Sequence, residues 1–193
     1  RMLDRFLVLA EANDLDAAVV ANKIDLDPDA AAAFDVYEEV GYPVLHTSAE
    51  TGAGIERVRA LLCERTSVLT GPSGAGKSSL LNAIDPGLTL RVGDVSDAVG
   101  KGRHTTVSSL LIPLECGGYV ADTPGLRELG LWGVDDQDLD GCFPELRPFL
   151  GHCRFRSCSH THEPGCAVRE ALEADEIHSA RYESYVALLD GDD

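Results

Sequence analysis

Residues 71–78 read Gly-Pro-Ser-Gly-Ala-Gly-Lys-Ser, the pattern G-x-x-x-x-G-K-[ST], and no other stretch narrows the possible folds so far. An apolar run from Thr66 to Thr70 suits a strand before it, and Lys77 to Ile84 predicts a helix after it. A strand turning sharply into a helix lets Gly71, Pro72, Ser73, Gly74, Ala75 and Gly76 aim successive backbone N–H groups, and the helix N-terminus, at one anion. Lys77 is then expected to reach the β and γ phosphates of a nucleotide and Ser78 to ligate Mg²⁺. Ser79 stands beside them on the first helical turn. The chain has only three lysines, and one of them is here.

Strand and helix patterns alternate on both sides of this loop. Leu3, Phe6, Leu7, Leu9 and Ala10 have helical spacing, and Asp16 to Ala21 suits a buried strand. A turn at Gly41 to Pro43 leads to a strand at Val44 to Thr47 and a helix from Gly54 to Glu64. After Ile84 a weakly periodic stretch to about His104 reads as a mobile loop. Two strands follow, Val107 to Leu114 and Gly118 to Ala121. This alternation predicts an α/β domain over residues 1–140, with a mainly parallel sheet and helices on both faces. Past Asp140, prolines, histidines and cysteines give way to helices around Ala167 to Leu172 and Ile177 to Leu189, a small mostly helical unit over residues 141–193.

Asn22-Lys23-Ile24-Asp25 ends the first strand, at the carboxyl edge where sheets of this kind bind ligands. The Asp25 carboxylate can accept from guanine N1–H and N2–H₂ together. Adenine lacks that donor pair, so it would leave the carboxylate unpaired at a cost of about 1–3 kcal/mol. Thr47-Ser48-Ala49 closes the next strand, where the Ser48 and Ala49 amides are expected near guanine O6. Asp122-Thr123-Pro124-Gly125 ends another, with Asp122 expected on Mg²⁺ through water and the Gly125 N–H near the γ phosphate. Between them, Lys101-Gly102-Arg103-His104-Thr105-Thr106 offers a threonine to cap Mg²⁺ and the γ phosphate. The cofactors read from these residues are GTP or GDP with Mg²⁺.

Base specificity comes first here and the phosphate loop second, the reverse of the usual GTPase order, as a circular permutation produces. In that order NKIDL, TSAETGAGI, TGPSGAGKSSLLNA, GKGRHTT, DTPGLRELGLWGV and CRFRSCSHTHEPGCAV span nearly the whole chain. They resemble the circularly permuted bacterial GTPases called RsgA or YjeQ. The resemblance implies a circularly permuted P-loop GTPase domain followed by a zinc-binding domain, acting in late maturation of the small (30S) ribosomal subunit. It also implies an OB-fold and one sheet strand ahead of the first helix, and Arg1 already reads as the middle of a domain. Contacts to ribosomal RNA are therefore expected from parts outside this sequence or from local basic patches. Hydrolysis by the chain alone is expected to be slow. Leu126 follows D-x-x-G where familiar GTPases carry a water-orienting Gln, and Gly74 stands where an Asn would hold potassium. His104 is left as the side chain expected to assist catalysis, with Thr106 and Lys77, and the resemblance implies the same histidine.

Cys153, Cys158, His160 and Cys166 spell C-x4-C-x-H-x5-C, three thiolates and an imidazole suited to one tetrahedral, structural Zn²⁺. His162 could replace His160 and His152 is also near, while the resemblance implies His160. Cys63, Cys116 and Cys142 lack such company and are expected to be packing residues, and Trp132 a core or interdomain anchor.

Charge bounds the partners. Sixteen Lys and Arg against 33 Asp and Glu give −17, which excludes whole-molecule attraction to nucleic acid. Arg147, Arg154, Arg156, Arg169 and Arg181 remain as local contacts. No apolar run reaches the ~18–20 residues of a membrane span, and the first residues lack a signal-peptide pattern. A cytoplasmic monomer with no membrane partner is expected. The competing class, a nucleotide-independent zinc-containing RNA-binding module, would leave four correctly ordered nucleotide motifs without a use.

Overall fold

The computed structural model describes residues 1–27, 29–88, 110–122 and 138–191. The chain divides into two compact units, one of Arg1–Ala17, Glu39–Gly41 and Leu131–Asp193, the other of Ala18–Glu38 and Tyr42–Gly130. The expected loop around Lys101–Thr106, with His104, Thr105 and Thr106, lies outside the described residues, as do Gly125, Leu126 and Trp132. The helices are α1 (Met2–Glu11), α2 (Asp35–Val40), α3 (Ile55–Leu62), α4 (Lys77–Ile84), α5 (Ala167–Glu173) and α6 (Ser179–Leu189). The strands are β1 (Val19–Asn22), β2 (Val44–Thr47), β3 (Thr66–Val68), β4 (Leu110–Pro113) and β5 (Tyr119–Asp122).

In the second unit β1 and β2 pair in parallel, Val19 opposite Val44 and Asn22 opposite Thr47. A second sheet has the order β3-β5-β4, with β3 and β5 parallel and β4 antiparallel to β5. Ile55, Val58 and Leu62 recur at three- and four-residue spacing along α3, as Leu80, Leu81 and Ile84 do along α4. Those stripes meet Leu45 of β2 and Val120 of β5 in one core. Because side chains alternate along a strand, the sheet face opposite Ile112 and Val120 carries Val68, Leu111 and Tyr119, all exposed among the described residues. A 3₁₀ turn, Asp29–Phe34, runs into α2, a connection the hydrophobic pattern does not announce. An alanine run favours helix there by propensity, and α2 buries no residue, so no apolar stripe marks it.

Two of the expected packing cysteines behave otherwise. Cys63, at the C-terminal end of α3, and Cys116, in the β4–β5 turn, form a disulfide with Cα atoms 5.4 Å apart. The two turns are laid together by the backbone: Glu64 N–H donates to Gly117 O at 3.0 Å and Tyr119 N–H to Arg65 O at 2.8 Å. Fifty-three residues of separation hide this neighbourhood from the sequence. Cys142 is buried in the core of the other unit, as expected.

In that unit Leu139, Phe143, Leu146, Val168, Ile177, Tyr185 and Leu188 form a core that also takes in Val8 of α1. Phe143 and Tyr185 meet edge to face with centroids 5.5 Å apart. Arg181 of α6, 2% exposed, donates to Glu145 through Nε at 2.6 Å and Nη2 at 3.3 Å, and to Asp4 of α1 through Nη1. Asp4 also accepts from the Ser184 hydroxyl at 2.7 Å, and the guanidinium lies 4.8 Å from the centre of the Phe143 ring. The first helix thus packs with the C-terminal residues, where the sequence reading assigns it to the nucleotide domain. The reason is its buried face of Asp4, Leu7 and Val8. Of the arginines expected as local contacts, Arg181 is buried between carboxylates, while Arg147 is exposed and holds Glu11 at 2.5 Å.

Candidate functional site

Beyond β3 the chain enters the glycine-rich loop, and α4 starts at Lys77 with Gly76 as its N-cap. Gly76 has φ +90°, and a Cβ there would lie 2.5 Å from Asn22 Nδ2, so a larger residue would strain the backbone and push the Asn22 amide aside. Lys77 Nζ curls back to donate to Gly71 O at 2.8 Å and Pro72 O at 2.9 Å. Ser78 is buried on the first turn of α4.

Asn22 and Lys23, at the end of β1, grip this loop. Asn22 Nδ2 donates to Ala75 O at 3.0 Å, while its Oδ1 accepts from the Thr47 hydroxyl at 3.1 Å and the Ala49 N–H at 3.3 Å. Lys23 Nζ donates to Gly74 O at 2.6 Å. Lys23 itself has φ +70°, and the turn it opens, closed by Leu26 N–H on Lys23 O at 3.0 Å, leaves Asp25 exposed. The Ser48–Gly54 loop closes on itself: Ser48 N–H donates to Ala53 O at 3.0 Å and Gly52 N–H to Ser48 O at 2.9 Å. A Cβ on Gly54 would collide with the His46 carbonyl. Of the two amides expected near guanine O6, Ser48's is therefore committed to Ala53, and Ala49's meets Asn22.

The structure thus brings together Asn22, Lys23, Ala49 and the loop of Gly71, Gly74, Ala75 and Lys77 around one edge. Asp122 ends β5 one residue past Ala121, the partner of Val68 in β3, the strand that leads to the loop.

In the other unit one ligand atom from each of Cys153, Cys158, His160 and Cys166 lies within 4.8 Å of all the others. His160 is 3% exposed, and its Nδ1 lies 3.5 Å from Cys153 Sγ and 3.4 Å from Cys166 Sγ. His162 is exposed with its Nδ1 on the Thr161 hydroxyl at 2.9 Å, and His152 is exposed, so His160 is the histidine that lies buried among the three cysteines. Gly165, at φ +70°, turns the chain so that its carbonyl accepts from Arg154 N–H at 2.9 Å. Glu163 accepts from the Ser159 N–H and hydroxyl, both at 2.8 Å, and from the His162 N–H, which hold its carboxyl well below the usual carboxylate range. Burial pushes the Cys158 thiol up to about 12 and raises Cys166 as well, so a metal must displace protons from this cluster. Three sulfurs and one nitrogen, half-buried or buried at this spacing, fit a soft tetrahedral ion with bonds of about 2.0–2.3 Å.

Three further residues reach the cluster and carry no sequence motif. Tyr182 donates its hydroxyl to His160 O at 2.7 Å, Tyr185 to Ser159 O at 2.9 Å, and Asp140 Oδ2 lies 3.2 Å from His160 Nε2. The only signal for the tyrosines is the three-residue spacing that puts both on one side of α6.

A family model described as RsgA GTPase matches residues 1–132. The small ribosomal subunit biogenesis GTPase RsgA of Gemmatimonas aurantiaca is 60% identical over 192 residues, 98% of this chain and 62% of that protein. Its namesake from Moorella thermoacetica is 49% identical, covering 97% of this chain and 65% of its own. Among solved structures, YjeQ from Thermotoga maritima superposes with a TM-score of 0.80 at 38% identity, over 99% of this chain and 65% of that one. YloQ, described as a circularly permuted GTPase, gives 0.76 at 36%, over 98% and 61%. The chain therefore spans somewhat under two thirds of the length of these relatives.

Proposed function

The chain belongs to the RsgA GTPase family, and from that premise we propose that it binds GTP and GDP with Mg²⁺ and hydrolyses GTP slowly, as a cytoplasmic, monomeric switch in late assembly of the small ribosomal subunit. The observation that carries this is the grip of Asn22 and Lys23 on Ala75 and Gly74, which joins a base-specificity motif to a phosphate loop as one site. Asp25 stands exposed to pair with a guanine edge. Lys77 would exchange the Gly71 and Pro72 carbonyls for β and γ phosphate oxygens. Ser78, Asp122 and Thr106 would hold Mg²⁺, whose chemistry is to neutralise phosphate charge, and the Gly125 amide would meet the γ phosphate. His104 would assist attack on the γ phosphate when the small subunit is bound. Zn²⁺ held by Cys153, Cys158, His160 and Cys166 would cross-link the ligand loop and take no part in the reaction.

For the ribosomal partner, this chain offers Arg154, Phe155 and Arg156 on the ligand loop. All three are exposed, and the Arg154 guanidinium lies 5.6 Å from the centre of the Phe155 ring, an aromatic-and-arginine surface of the kind on which RNA bases stack. The competing zinc-only RNA module has no use for the Asn22–Ala75 contact.

The test is equilibrium binding of GTP against ATP, then single-turnover hydrolysis with and without purified small subunits. Guanine preference, stimulation by the subunits and loss of that stimulation in His104→Ala are expected. Equal affinity for ATP, or fast hydrolysis by the chain alone, overturns the reading.

A further inference from the structure

We propose that Asp140 is a positioning residue of the Cys153–Cys158–His160–Cys166 cluster, its carboxylate fixing the His160 ring so that Nδ1 faces the metal and Nε2 keeps its proton. The inference rests on the reading of these four residues as a metal site. A neutral imidazole has two nitrogens, and the one that binds a metal is settled by what the other meets. Here Nδ1 faces two cysteine sulfurs at 3.4 and 3.5 Å, and Nε2 faces Asp140 Oδ2 at 3.2 Å. A carboxylate accepts and cannot donate, so Nε2 must carry the hydrogen and the lone pair is left on Nδ1. With His160 3% exposed, water has little access to compete for either nitrogen.

Both halves of His160 are held from outside its own loop. Its backbone sits at φ +62°, uncommon for a residue with a side chain, and its carbonyl accepts from Tyr182. Asp140 is itself fixed. Its Oδ1 accepts from the Gly141 N–H at 2.6 Å, and it opens the 3₁₀ turn Asp140–Cys142 between Leu139, 1% exposed, and Phe143, fully buried. The carboxylate therefore arrives on a turn anchored by the core, twenty residues upstream of the ring it steadies.

The experiment uses the full chain, with zinc affinity measured by competition against a chromophoric chelator. Asp140→Ala is expected to bind zinc about 10- to 100-fold more weakly than wild type. Asp140→Asn, which keeps an acceptor for Nε2–H and the shape of the turn, is expected to lose less. Nitrogen-15 spectra of the zinc-loaded wild type should show metal on His160 Nδ1 and a slowly exchanging Nε2 proton, and fast exchange in Asp140→Ala, which a merely structural role would not produce. Should the Ala variant fail to fold, the wild-type spectrum and the Asn variant still decide. Metal on Nε2, or wild-type affinity and slow exchange in a folded Asp140→Ala, overturns the proposal and spares the metal site. A wild-type chain that takes up no zinc, or a His160→Ala variant that binds it unchanged, overturns both.

Discussion

At the phosphate loop, the groups that hold one another lie 53 residues apart, Asn22 on Ala75, yet each belongs to a motif that can be read off the chain. At the cysteine cluster the four candidate ligands fall within fourteen residues, and what steadies them from outside, Asp140, Tyr182 and Tyr185, belongs to no motif. Groups that touch a ligand are constrained in type and spacing by that ligand. Groups that only orient them are constrained by the packing around them, which differs from fold to fold. The two units also differ in how they close. One carries a disulfide between surface turns, the other a buried arginine between two carboxylates.

The sharpest break in that comparison is Arg181→Met. Removing the cation takes the guanidinium from between the buried Asp4 and Glu145 carboxylates, and about 3–5 kcal/mol of stability should go from the cysteine-rich unit. Urea unfolding followed by tyrosine absorbance reads it, and an unchanged midpoint would mean that Phe143 and its neighbours suffice. Next is the disulfide, for which reduction, or Cys63→Ser with Cys116→Ser, should cost the sheet-bearing unit about 2–4 kcal/mol. Alkylation before reduction, followed by mass measurement, should find those two thiols protected, and a chain labelled at both refutes the bond.

Asn22→Ala removes three hydrogen bonds, one to Ala75 of the phosphate loop and two from Thr47 and Ala49 on the base side. Nucleotide affinity is expected to fall by about 1–3 kcal/mol, roughly 5- to 150-fold, in titration calorimetry. Zinc content should not move, and if it does, the two sites are coupled in a way this comparison denies. The smallest effect is expected from Tyr185→Phe, which deletes one hydroxyl donated to Ser159 O. About 1 kcal/mol of stability should be lost and zinc should leave faster, with nucleotide affinity unchanged. A variant as stable as wild type would show that Tyr182 holds the ligand loop alone.

Much of this was legible before any coordinates. The helix and strand periods predict α1, α3, α4 and the five described strands to within a few residues; α1 buries its face in the core of the cysteine-rich unit, and α3, α4, β2 and β5 bury theirs in the core of the other. The helical stretch from Asp29 to Val40 escapes that logic, since α2 buries nothing. The pairing of Cys63 with Cys116 depends on two turns meeting through backbone hydrogen bonds, which no side-chain pattern records. Among the candidate site residues, Asn22 and Lys23 declare themselves by type and place, but their grip on Gly74 and Ala75 follows only from the fold. The placing of α1 escaped for a related reason. Its apolar spacing says that one face is buried and is silent on what buries it, and a lone Asp4 on that face finds its meaning in Arg181, 177 positions later.

That placement means that, within residues 1–193, the sheet-bearing unit interrupts the cysteine-rich one. Residues 1–17, with α1, belong to the cysteine-rich unit; the chain then builds the strands and the phosphate loop, touching the first unit again only at Glu39–Gly41, and rejoins it from Leu131 onward. A cut near residue 140 meant to isolate a nucleotide-binding fragment would thus not separate two independent modules. It would strip α1 of its core, opening Val8 to water and leaving Asp4 without Arg181 and Ser184, on the helix that leads directly into the strand ending in Asn22. Dissection of this protein is better done by excision from the middle of the chain than by trimming its end.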